Sequence, residues 1–185
     1  MARPHQDQTY IIDYKNGTIL RGTTNHPSFF PPPNDTVVQS KDITINIASY
    51  ACQLPALIFL PAQPDSNQRI PVLVYFHGSA FCISSPFSKG DTVYMAREAA
   101  KAHVITLSLD YILHTDGAIL DSYDSWAFFK WVIVHKFKAH LLRSDPWLAH
   151  LGDLDQMFVG GDSVGGNIAY RMAIQAELAQ LPWLC

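Results

Sequence analysis

Gly161-Asp162-Ser163-Val164-Gly165 lies between a short apolar run, Met157-Phe158-Val159, and a helical stretch that begins just after Ser163. A serine spaced in this way between two glycines matters chemically only where a strand precedes it and a helix follows. The serine then sits on a tight turn that lifts its Oγ above the sheet. Both conditions are met. Gly161 and Gly165 lack a Cβ and leave room for the strained backbone of such a turn. A helix starting at Val164 points its unpaired N–H groups and the positive end of its dipole at the turn. The N–H of Val164 can therefore stabilise a negative oxygen forming near Ser163. Small residues at a strand-to-helix turn also serve simply as a tight connection, so the upstream sequence has to decide.

Upstream, Pro71-Val72-Leu73-Val74-Tyr75-Phe76 is a continuous run of β-formers, as expected of a strand covered on both faces. Val104 to Leu109 and Met157-Phe158-Val159 have the same character. Helical stretches are expected over 89–102 and 121–141. In the second, Trp126, Phe129, Ile133 and Phe137 recur at helical spacing as core packing. The helix after Ser163 carries Tyr170, Ile174, Leu178 and Leu181 on one side, with Ile168 and Met172 widening an apolar face that suits burial. Strands alternating with helices imply an α/β fold with a mostly parallel sheet between two helical layers. Before these elements, Lys41 to Ile47 alternates with period two, and Leu57-Ile58-Phe59-Leu60 follows, so both are expected as strands towards one edge. Residues 1–35 are polar and end in Pro31-Pro32-Pro33-Asn34-Asp35, which favours extended coil and is expected as an N-terminal arm to a domain over 36–185.

The 185 residues suffice for one domain with a real core. A net charge of -3 without a dense Lys/Arg cluster argues against nucleic acid as a partner, since phosphate binding needs concentrated positive charge. No apolar run is long enough to span a bilayer and none near Met1 has signal-peptide length, so a cytoplasmic location is expected. Cys52, Cys82 and Cys185 lack metal-ligand spacing and are expected as unpaired thiols, with no metal and no cofactor implied. The sequons at Asn16 and Asn34 are read as chance.

His77-Gly78-Ser79-Ala80-Phe81 follows the buried run at Pro71–Phe76 directly. This is where an α/β-hydrolase supplies further oxyanion N–H groups. On these two motifs the chain resembles the plant carboxylesterase branch of the hormone-sensitive-lipase-like, or GDXG, family of α/β-hydrolases. Tyr14-Lys15-Asn16-Gly17, Ser40-Lys41-Asp42, Tyr123-Asp124-Ser125-Trp126-Ala127 and Pro146-Trp147-Leu148 extend the likeness along the chain. The resemblance implies Ser163 as nucleophile towards a small-molecule carboxylic ester, short-chain or a plant metabolite, and backbone N–H groups of Gly78, Ser79 and Val164 as an oxyanion hole. It implies His77, Gly161, Asp162 and Gly165 as shaping residues. The branch also resembles gibberellin receptors, which keep the pocket for ligand recognition without turnover, and hydroxyisoflavanone dehydratases, which tend to carry threonine at the nucleophile position. The chain departs from the family at Ser79, where glycine is usual, and at Tyr111 to Asp116, where the family normally reads Tyr-Arg-Leu-Ala-Pro-Glu.

In this fold the acid and the histidine follow the nucleophile in the chain. After Ser163 there is only Glu177 as an acid and no histidine. His103, His114, His135, His140 and His150 are read as surface or satisfied core residues. Without a base the serine is a neutral alcohol, and loss of a triad member costs on the order of 10⁴-fold in rate. The 185 residues are accordingly expected to be the N-terminal part of the fold, with the elbow strand at an exposed edge prone to pairing and aggregation.

Overall fold

The computed structural model describes residues 7–13, 18–24, 37–47, 52–62, 68–78, 84–113, 123–137 and 145–181. Within the segment expected as an extended arm, β1 (Asp7–Asp13) and β2 (Thr18–Thr24) form an antiparallel hairpin, with Asp7 opposite Thr24 and Asp13 opposite Thr18. The β-forming residues Thr9-Tyr10-Ile11-Ile12 and Ile19-Leu20 support it, but they are too few among polar neighbours to stand out in the sequence. The proline run at 31–33 lies outside the described residues.

The main sheet contains β3 (Val38–Ile47), β4 (Cys52–Pro61), β5 (Ile70–Phe76), β6 (Ile105–Leu109) and β7 (Gly152–Gly161). Their spatial order is β3-β4-β6-β5-β7. β3 pairs antiparallel with β4, and β4 antiparallel with β6, whereas β6, β5 and β7 run parallel. The antiparallel pair lies towards the edge that its alternating pattern suggested, and the continuous apolar runs at 71–76 and 104–109 form the interior. β6 is buried along its whole length, and its two polar residues, Thr106 and Ser108, have hydroxyls with no hydrogen-bond partner.

The sheet separates two cores, because successive side chains on a strand point to opposite faces. On one face α1 (Lys89–Ala102) packs Met95, Ala96 and Ala99 against Leu57, Phe59 and Tyr75. On the other, α2 (Tyr123–Phe137) and α4 (Val164–Leu178) cover Val72, Val74, Phe76 and Leu107. Phe128, Phe129, Val132 and Ile133 of α2 are buried and Trp126 packs at the margin; the side chain of Phe137 lies outside the described residues.

α4 overturns part of one expectation. Its buried residues are Gly165, Ile168, Ala169, Met172 and Ala176, whereas Tyr170, Ile174 and Leu178 face outward at 68%, 41% and 79% exposure. Ile168 and Met172 are buried as expected and Leu181 packs against the same core; Gly165, Ala169 and Ala176 between them let the helix lie close on the sheet, which leaves the three larger residues on its far side. The strand before it departs similarly from the expected burial on both faces. β7 is the last strand in the order, and Phe158 is 52% exposed.

A short helix that the sequence reading missed, α3 (Pro146–Leu151), has Asp145 at its N-cap and proline at its first position. The Asp145 carboxylate accepts the N–H of Trp147 at 2.9 Å and lies 2.8 Å from Lys41 Nζ, which also sits 4.2 Å over the Trp147 ring. His135 joins α2 to this cap. Its Nδ1 meets the Trp131 carbonyl at 2.9 Å and its Nε2 accepts the backbone N–H of Asp145 at 3.0 Å, a pattern that fixes a neutral Nδ1–H imidazole. Burial pushes its pKa down, against smaller opposing effects of the Trp131 carbonyl and Asp145.

Candidate active site

Ser163 stands between the end of β7 and the start of α4 with φ 49° and ψ −117°. This combination is costly for any residue with a side chain, and it persists only where the surroundings impose it. Those surroundings are two backbones in near contact. A Cβ on Gly165 would overlap the Phe76 carbonyl and come within 2.8 Å of the His77 oxygen, and one on Gly161 would lie 2.6 Å from the Phe76 oxygen. Only glycine at 161 and 165 lets α4 begin this close to the end of β5.

Ser163 occupies the N-cap of α4, but its side chain caps nothing. A serine here would ordinarily spend its oxygen on the N–H of the second or third helical residue. The positive φ turns it out of the helix instead, and the residue is exposed. The first helical bonds are those from the N–H of Gly166 to the Asp162 carbonyl and from Asn167 to the Ser163 carbonyl, both 3.3 Å. The N–H of Val164 belongs to the leading turn that an α-helix leaves without an internal acceptor. It therefore adjoins Ser163 as a donor without an intrahelical acceptor, at the positive end of the helix dipole.

Gly78 is brought to the same place, at the C-terminal end of β5. A Cβ there would fall 2.9 Å from Asp162 Oδ1 and nearer still to Oδ2, so the Asp162 carboxylate occupies the space that a side chain at 78 would need. Ser79 lies outside the described residues. The structure thus brings together Ser163, Val164, Asp162, Gly161, Gly165, His77 and Gly78.

His77 is wholly buried. Its Nδ1 lies 3.1 Å from the Gly78 oxygen, its ring stacks on Tyr111 at 4.3 Å between centroids, and the Tyr111 hydroxyl donates to the His77 carbonyl at 2.8 Å. Burial lowers its pKa, against the Gly78 carbonyl and the charges of Asp91, Asp110 and Asp162. The neutral ring acts as a strut that fixes the strand end. Neither His77 nor His135 is bonded to Ser163; His103 ends α1 in a left-handed conformation and His150 is exposed on α3. His114 and His140 lie outside the described residues.

Two participants escaped the sequence reading. The Tyr75 hydroxyl donates to Asp162 Oδ1 at 3.1 Å, and burial followed by the Asp162 charge pushes the Tyr75 pKa upward, so the phenol stays a donor. Tyr111 supports His77. Each could have been noticed as a hydroxyl in an otherwise apolar stretch, since a buried Tyr O–H needs a partner. The altered Tyr111-Ile112 segment keeps an anchor of its own: Asp124 Oδ2 accepts the N–H of Ile112 at 2.6 Å, and Oδ1 accepts that of Ser125 at 2.7 Å. Burial pushes the Asp124 pKa up, opposed by these N–H donors. Among the described residues no group of three or more His, Cys, Asp or Glu could hold a metal ion, and no helix is long and apolar enough to cross a membrane.

A family model described as alpha/beta hydrolase fold matches residues 73–183, which include both motifs. The chain belongs to the α/β-hydrolase fold family. Among relatives of this hydrolase-fold chain, it is 37% identical to a 2-hydroxyisoflavanone dehydratase of Glycyrrhiza echinata over 91% of its own length and 52% of the relative's. It is 33% identical to probable carboxylesterase 3 of Arabidopsis thaliana, over 93% of its length and 53% of that protein's. It is also similar to the solved esterase of Pyrobaculum calidifontis, with 25% identity and a TM-score of 0.59 over 79% of this chain and 41% of the other. The hydrolase-fold chain thus spans about half the length of the curated relatives it matches.

Proposed function

We propose that this chain carries the nucleophile half of a carboxylic ester hydrolase whose substrate is a short-chain or plant-metabolite ester. In this reading Ser163 Oγ attacks the ester carbonyl, and the oxygen that becomes negative is held by the N–H groups of Val164, Gly78 and Ser79. The alcohol departs, an acyl group remains on Ser163, and water releases the acid. The observation that carries the reading is the backbone of Ser163, forced to φ 49° and ψ −117° with its hydroxyl unused by the helix it begins. Likeness to a probable carboxylesterase and to an archaeal esterase supports ester hydrolysis, and Ser163, at the position where hydroxyisoflavanone dehydratases tend to carry threonine, speaks against a dehydration. In this fold the acid and histidine that would activate Ser163 follow it in chain order, and this chain spans about half the length of the relatives it matches.

The test is acylation of the 185-residue chain by p-nitrophenyl acetate, read by intact mass and by p-nitrophenol release. The expected result is slow stoichiometric acylation mapped to Ser163, on the order of 10⁴-fold slower than turnover by a complete triad enzyme, and its loss in Ser163→Ala. Equal rates for the two proteins would remove the reading.

A further inference from the structure

The last residue pair that joins β5 to β7 is Phe76 with Gly161. The groups assigned to the chemistry, Gly78 on one chain segment and Ser163 and Val164 on the other, stand two or three residues beyond that pair. Their relative position depends on what joins the two exits once the ladder has stopped. The close approach of Gly165 to the Phe76 carbonyl sets how near α4 comes, but such a contact leaves rotation of the turn open. The hydrogen bond that crosses here runs from the Tyr75 hydroxyl to Asp162 Oδ1 at 3.1 Å.

We propose that Tyr75 is a positioning residue for Ser163: its hydroxyl holds the Asp162 side chain against Gly78 and so keeps the nucleophile turn in register with the end of β5. This role rests on the ester hydrolysis proposed above and gives that reaction a residue it does not otherwise use. Tyr75 is a fixed pivot. Its ring is buried in the core under α1 and lies 5.6 Å from that of Tyr94, so the hydroxyl has little freedom to follow a moving partner. Burial, then the Asp162 charge, keep the phenol protonated and therefore a donor.

Asp162 passes this restraint on. Its carboxylate fills the space beside Gly78, and its carbonyl accepts the N–H of Gly166 at 3.3 Å, so the residue links β5 to the first turn of α4. Ser163 follows it directly, in a backbone conformation that persists only where the surroundings impose it. Without the Tyr75 hydroxyl the carboxylate is free to rotate away from Gly78, and the turn loses its hydrogen-bonded restraint on the β5 side. A phenol that merely satisfied its own O–H would form the same bond. The two roles differ in what a loss touches: satisfaction alone affects stability, whereas positioning affects the rate at Ser163.

Acylation of the 185-residue chain by p-nitrophenyl acetate, followed by intact mass over a series of ester concentrations, separates the saturating rate from the half-saturating concentration. Tyr75→Phe keeps the ring and its packing. The expected result is a parent-like circular dichroism spectrum, the same half-saturating concentration, and a saturating rate about tenfold lower, within the roughly 100-fold that a misplacement of 1 Å costs. Asp162→Ala should lower the rate to a similar level, and adding Tyr75→Phe to it should lower it no further, because both changes remove one tie. In Tyr75→Phe the Gly166 amide, whose acceptor is the Asp162 carbonyl, should also exchange its hydrogen faster than in the parent. An undiminished rate in Tyr75→Phe, a change confined to the half-saturating concentration, or effects that multiply in the double variant would overturn the positioning role and leave the ester reading standing. A parent that is not acylated would remove the ester reading instead; the tie is then judged by hydrogen exchange, and a parent-like rate at Gly166 would overturn it. Should Tyr75→Phe fail to fold, Asp162→Ala, at an exposed position, carries both measurements.

Discussion

α1 and α4 are similar in length and pack on opposite faces of one sheet, yet they are finished differently. α1 begins at Ser88, whose side chain accepts the N–H of Asp91, holds Asp91 in its first turn and Lys101 in its last, and ends on His103 in a left-handed cap. Each of these matches the free groups and the dipole of a helix end. α4 begins at a serine in a strained conformation that caps nothing, and it has no acid in its first turn and no base in its last. α1 is built to hold together, whereas α4 leaves its first turn without a side-chain cap and exposes an apolar outer face.

The largest expected contrast lies in their glycines. Gly165→Ala should destabilise the chain by about 3 kcal/mol or more, the scale of severe overpacking, because its Cβ has no space beside the Phe76 and His77 carbonyls. Gly90→Ala in α1 meets nothing within 4 Å and should stabilise by about 0.5 kcal/mol, the gain in helix propensity. Urea unfolding followed by circular dichroism reads both. Equal effects would mean that the close approach of α4 to β5 is absent.

The N-caps give the next contrast. Ser163→Gly relieves the positive φ and should stabilise by about 1 kcal/mol, while Ser88→Ala removes a working cap and should destabilise by about 1 kcal/mol. If both serine changes moved the urea midpoint in the same direction, the division between a strained cap and a working one would fail.

The smallest effect is a pH dependence. The folded-state pKa of His135 is lowered by burial, so the unfolded chain binds its proton more readily and stability rises with pH. The contribution is full above the ordinary histidine value near 6.5 and is lost as pH falls from there towards the folded-state value; buried His77 acts in the same direction. Replacing His135 with Gln should flatten the slope of melting temperature between about pH 7.5 and pH 5.5. An unchanged slope would mean that His135 is not held neutral between Trp131 and Asp145.

What the sequence made legible was mostly local. The helix expected over 89–102 is α1 from Lys89 to Ala102, and the apolar runs at 71–76 and 104–109 are interior strands, because burial on both faces leaves an unbroken hydrophobic signature. The turn at Ser163 was readable because the spacing of Gly161 and Gly165 is itself the steric requirement. The buried face of α4 was read in part: Ile168 and Met172 are buried, but Tyr170, Ile174 and Leu178 face outward, because apolar character was allowed to outweigh position around the helix. The contact of Tyr75 with Asp162 was missed because it joins residues 87 apart in the chain, and neither carries a local sign of the other. α3 did have a local sign, Asp145 followed by Pro146, but six residues give too little periodicity to mark a helix.

The carboxylate of Asp162 standing where a side chain on Gly78 would be has a consequence for variation among related sequences. Position 78 and position 162 compete for one volume: a larger residue at the first requires the Asp162 carboxylate to swing away from Tyr75 or to be replaced by a smaller group. The two motifs, more than eighty residues apart in the chain, are therefore expected to drift together, and a chimaera that takes one from a relative and the other from this chain should fold less well than either parent.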